Sequence, residues 1–183
     1  MPQVLRSIEE LERDRQEHLA IGDERAAATC DREIGIALAE AGELEPALSR
    51  LGVARDGLVA ADRTGDVAIC DHCLGIVLAR LGREHEALQH LEQARSAYAS
   101  LHRYLAVADC EEHIGYALLA LDRPSAAVEH LSHARTLHDE AGRTEHVEAC
   151  EAGLSAATGK RERPRPAFEL PRVAPPLRAR LGS

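Results

Sequence analysis

Four cysteines set the frame of this chain: Cys30, Cys70, Cys110 and Cys150 stand forty residues apart. Other columns keep the same step: Arg15, Arg55, Arg95, Arg135; Leu11, Leu51, Leu91, Leu131; Gly35, Gly75, Gly115; Leu38, Leu78, Leu118. An acidic residue follows each cysteine, as Asp31, Asp71, Glu111 and Glu151. Chance does not align this many columns at one period. A chain built of such units stacks neighbouring copies, because one unit cannot bury its own apolar faces.

Within one period the pattern predicts helix, turn, helix. Residues 66–81 place Val67, Cys70, Leu74, Val77, Leu78 and Leu81 at helical spacing, and residues 84–101 do the same with Leu88, Leu91, Ala94, Ala97 and Leu101. Turn signals recur in register at Gly42, Gly82 and Asp122, with Pro46 and Pro124 just inside the following helices. The expected fold class is therefore all-α, a solenoid of helical hairpins.

Composition agrees. Of 183 residues 45% are hydrophobic but only 2% aromatic, which suits a core of Leu, Ala, Val and Ile and disfavours aromatic-rich β-sandwiches and base-stacking modules. No run of 18 apolar residues exists to span a bilayer, and the first residues lack the basic start and apolar stretch of a secretory signal, so a cytoplasmic location is expected. The net charge of −9 is divided unevenly: residues 160–183 carry seven basic and two acidic side chains, +5, which leaves −14 on residues 1–159. An acidic body repels phosphates and anionic lipid, so neither nucleic acid nor membrane is expected as the main partner.

The repeat resembles the tetratricopeptide repeat (TPR) family in the family's key columns: Leu74, Gly75 and Leu78 in the first helix of a unit, Ala87, Leu91 and Ala94 in the second. Ile34, Gly35, Leu38, Ala47, Leu51 and Ala54 repeat the set before it, and Ile114, Gly115, Leu118, Ala127, Leu131 and Ala134 after it. Two features depart from the family. Asp31, Asp71 and Glu111 replace its usual aromatic, and the period is forty residues where the family has about thirty-four. Long repeats of this kind look like those of bacterial regulators, including actinobacterial signal-transduction ATPases and peptide-responsive proteins. The resemblance implies a right-handed superhelix of about three full repeats with half repeats at both ends. The array is read over residues 1–159, with helices at about 3–20, 24–41, 44–61, 64–81, 84–101, 104–121, 124–141 and 144–157, followed by a basic, proline-rich tail at 160–183.

In TPR proteins the first helix of each pair lines a concave groove. Here those positions carry Arg32 and Ile36, then Ile69, His72, Ile76 and Arg80, then Asp109, Glu112, Tyr116 and Leu119. Chaperone-type members clamp a peptide carboxylate with lysines and asparagines, which these positions lack. A partly basic, partly apolar peptide or helix fits them better. The tail itself carries Phe168, Leu170, Val173 and Leu177 on a proline-stiffened basic stretch, the character of a short docking peptide. It is expected to dock in cis, to dock on another copy and drive self-association, or to act as a solubilising linker.

The remaining chemistry is sparse. Cys70 and Cys73 form a CxxC on a helix, but no second pair supplies zinc ligands and no strand precedes it as in thioredoxin-like sites. The periodic cysteines are expected to be small buried thiols, the carboxylates to sit on solvated helix faces, and the ten histidines to lie scattered and mostly exposed. No phosphate loop, HExxH or nucleophile triad is present. The reading is a non-enzymatic adaptor without cofactor or metal, binding another protein or peptide. The alternatives are a peptide-responsive sensor, or a thiol- or metal-responsive regulator through Cys70 and Cys73.

Overall fold

The computed structural model describes residues 6–159 and Leu170. Eight α-helices follow one another among these residues: α1 (Ile8–Ala20), α2 (Glu24–Glu40), α3 (Leu44–Ala60), α4 (Thr64–Arg80), α5 (Glu84–Ser100), α6 (Tyr104–Ala120), α7 (Pro124–Glu140) and α8 (Thr144–Ala157). Each helix packs on the one before it. The alternate helices α2, α4, α6 and α8 also touch in sequence, as stacked hairpins require. No helix among the described residues is long and apolar enough to cross a membrane.

Helix ends follow local chemistry. Ser7 opens α1 with a capping box, accepting from the Glu10 backbone N–H at 3.1 Å while the Glu10 carboxylate accepts from the Ser7 N–H at 2.9 Å. Pro124 occupies the first turn of α7, where no backbone donor is needed. Each link between helices is three residues long, and its central residue is left-handed, from Gly42 at φ +85° to Asp62 at +53° and His102 at +55°. The last link residue then bonds back to the carbonyl five positions earlier, as Arg83 N–H does to Leu78 O and Arg143 N–H to His138 O, both at 2.9 Å. That is the 6→1 bond of a Schellman ending, and its recurrence gives every hairpin the same geometry.

The glycine and leucine columns explain one another. A Cβ on Gly35, Gly75 or Gly115 would lie 2.7, 2.6 or 2.5 Å from Cγ of Leu51, Leu91 or Leu131 respectively. Bare backbone at these sites lets each leucine, fully buried, press into the first helix of its own hairpin. All five cysteines are free and buried.

Three of the four carboxylates after the cysteines, Asp31, Asp71 and Glu111, are buried and not on solvated faces, while Glu151 is exposed as expected. Each buried one is clamped from both sides. Arg15 Nε donates to Asp31 at 2.8 Å, Arg55 Nε to Asp71 at 2.6 Å, and Arg95 Nη1 to Glu111 at 3.1 Å. From the following helix Arg50 donates to Asp31 at 2.7 Å, and His90 and His130 contact Asp71 and Glu111 through Nδ1. A buried ion clamp thus stands where the family has an aromatic ring. Burial pushes the Glu111 carboxyl up, but His130 and Arg95 outweigh it and hold it below the usual carboxylate range.

Candidate interaction site

The structure divides the ten residues read from the sequence as groove lining. Arg32, His72, Ile76, Glu112, Tyr116 and Leu119 are buried, Ile36, Ile69 and Asp109 are half-buried, and Arg80 is exposed at the end of its helix. The buried ones are engaged between successive repeats. Arg32 pairs with Asp66 on α4. His72 Nε2 lies 3.0 Å from His113 Nδ1 on α6, with its ring edge-on to Tyr98. Tyr116 donates its hydroxyl to Ala149 O at 2.6 Å, and Arg80 reaches back to Ala39 O at 2.8 Å. An apolar strip through Ile76 and Tyr116 is therefore part of the packed stack, while Ile36 and Ile69 keep partial exposure.

One slot recurs at each junction between repeats. Its first member is Arg32, His72 or Glu112, forty residues apart, and its partner comes from the next first helix. Arg32–Asp66 fills it once; Glu112–His146 fills it with the charges reversed, Nδ1 to Oε2 at 2.9 Å. At the middle junction two neutral imidazoles meet. Burial pushes the His72 ring down to about 4, and burial together with His72 pushes His113 down to about 3. Three histidines expected at the surface, His72, His113 and His138, are thus interior.

Cys70 and Cys73 are wholly buried, and burial pushes both thiols up, Cys70 to about 12. Neither belongs to a cluster of three ligating groups among the described residues.

The tail contributes one described residue. Leu170 is half-buried against a cluster of Ala39, Ala47, Leu51, Cys73, Leu74 and Val77, drawn from α2, α3 and α4. Ile36 and Ile69 flank the same cluster. Two residues read from the sequence as groove and one read as tail dock therefore pack against one apolar cluster. Phe168, Val173 and Leu177 lie outside the described residues. Leu74 of this cluster and Leu48, packed against it, also border a depression lined by Arg55, Leu78 and His90.

Residues 66–140 match the family model of the tetratricopeptide repeat. Two solved structures share the fold, both of TPR-like, nearly identical repeats from Podosopora anserina described as a candidate kinesin light chain. One of them, a single-residue variant of those repeats, aligns with a TM-score of 0.67 at 20% identity over 85% of this chain and 78% of that one. The other aligns with a TM-score of 0.66, also at 20% identity, over 85% and 79%. No curated protein sequence gives a significant match.

Proposed function

Because this chain is a stack of tetratricopeptide repeats, a fold that generally serves as a protein-interaction scaffold, we propose that it binds an extended peptide segment of another protein on the patch flanked by Ile36 and Ile69. The observation that carries the reading is Leu170: an apolar side chain from a basic, proline-rich stretch packs on that patch. The chain's own tail acts as an intramolecular ligand, and a partner with the same character, a leucine flanked by cations, competes with it. Charge favours the pairing, since residues 1–159 carry −14 and residues 160–183 carry +5. A proline-stiffened ligand loses little conformational freedom on docking, so a small apolar contact suffices.

Titration of a labelled peptide of residues 160–183 into a chain ending at Gly159 tests this. Saturable binding is expected, weakened by salt, lost in Ile69→Asp and Ile36→Asp, and much reduced in the full chain, where the site is already taken. No binding, or binding indifferent to both substitutions, contradicts the proposal.

A further inference from the structure

The last junction among the described residues departs from the columns of the others. Residues 58, 98 and 138 share one core position, filled by Leu58, then Tyr98, then His138, all buried. An imidazole is a costly filling for a hydrocarbon-lined hole unless both ring nitrogens are engaged. His138 Nδ1 lies 3.4 Å from Arg143 Nη1. Its Nε2 is buried with no well-formed hydrogen bond, 3.2 Å from Glu112 Oε2.

Three helices bring ligating groups together here: Glu112 from α6, His138 from α7 and Cys150 from α8. One ligand atom of each lies within 4.8 Å of the others, and all three residues are buried. His146, one helical turn before Cys150, stands beside them with Nδ1 2.9 Å from Glu112 Oε2. A neighbouring set of Asp109, His138 and His146 already surrounds the Arg143 guanidinium, which contacts all three. The column comparison makes the first set specific. Cys70 shares its junction with Arg32 and Leu58, and Cys110 shares its own with His72 and Tyr98. Only the third junction combines the periodic cysteine with a carboxylate and an imidazole.

We propose that Glu112, His138 and Cys150 bind a zinc ion, with a fourth position open toward His146. One thiolate, one imidazole and one carboxylate are a zinc-type donor set, too soft for magnesium or calcium. The carboxylate and thiolate together neutralise the divalent charge, which matters in an interior site. Ligand distances near 2.0 Å for nitrogen and oxygen and 2.3 Å for sulfur require the three groups to draw together by roughly an ångström. Binding displaces the Cys150 thiol proton to solvent, so zinc uptake weakens as pH falls. The ion pins α8 to α6 and α7, at the end of a stack that has no further repeat among the described residues to hold it.

The test uses the full chain, purified without chelator or histidine tag, loaded with zinc and then dialysed. About one zinc per chain should be retained, and cobalt substitution should give a thiolate-to-cobalt charge-transfer band. His138→Leu, which restores the residue of the first repeat, should weaken zinc binding by more than the roughly 10–100-fold typical of an outer-shell partner. Cys150→Ala should abolish the charge-transfer band even if His138→Leu fails to fold, and Cys73→Ala should leave it intact. Zinc that washes out, a cobalt spectrum without a thiolate band, or retention unaffected by both site substitutions overturns the proposal.

Discussion

Leu131→Ala should destabilise the chain by about 3 kcal/mol, as truncation of a fully buried leucine does. Leu131 is 0% exposed. It occupies space that two glycines leave open: a Cβ on Gly115 would lie 2.5 Å from its Cγ, and one on Gly153 would lie 2.8 Å from its Cδ1. It is thus the wedge that joins α6, α7 and α8. Gly115→Ala alone forces that wedge aside at a cost of about 2 kcal/mol, the usual scale of overpacking. In the double variant the new methyl enters part of the cavity, so the combined loss should fall short of the sum by about 1 kcal/mol or more. Urea midpoints of the four proteins read this directly. Strict additivity would mean that Gly115 is not held by Leu131.

Acid should weaken the stack through the buried imidazole pair. His72 has its ordinary value of 6.5 when unfolded and about 4 when folded, because burial opposes the charged ring. Between those values the unfolded chain binds a proton that the folded chain refuses. Stability is therefore complete above pH 6.5, falls as pH drops through that window, and levels near pH 4, a loss of about 3 kcal/mol from this one group. His113 adds to the loss in the same direction. Glu111, held below its usual range, extends it below pH 4.5. His72→Gln keeps a neutral hydrogen-bonding partner for His113 and removes the titration. Its stability should decline less steeply between about pH 6.5 and 5, by up to about 1.4 kcal/mol per pH unit. An unchanged slope in His72→Gln would show that the pair is not the acid-sensitive element.

The fold was legible because its strongest signals are periodic. The glycine, leucine and cysteine columns name both helices of each hairpin and the close approach between them. What the columns do not say is which residues face each other. The acidic column and the arginine column were both visible, yet the sequence reading places the acids in solvent. The missing step is reflection about a turn: Arg15 and Asp31 stand equally far from Asp23, and Arg55 and Asp71 equally far from Arg63. In an antiparallel pair with three-residue links, residues equidistant from the turn meet, which predicts the clamp.

The site was harder to read. Ile76, Glu112 and Tyr116 occupy positions that line a groove when successive first helices stand apart. Here those helices approach closely enough for Arg32 to reach Asp66 and for His72 to reach His113, so the same positions are interior. That separation depends on packing across forty residues, and no local pattern encodes it. His138 gave a local signal, a histidine in the column of Leu58 and Tyr98, that a column-by-column search for polar intruders would have found.

The docking of Leu170 is tested most directly by isoleucine methyl spectra of the full chain and of Leu170→Asp. Loss of the leucine should shift the signals of Ile36 and Ile69, the two isoleucines flanking its cluster, and leave those of Ile21 and Ile114 in place. Unmoved Ile36 and Ile69 signals would contradict the assignment of that patch as the peptide-binding surface.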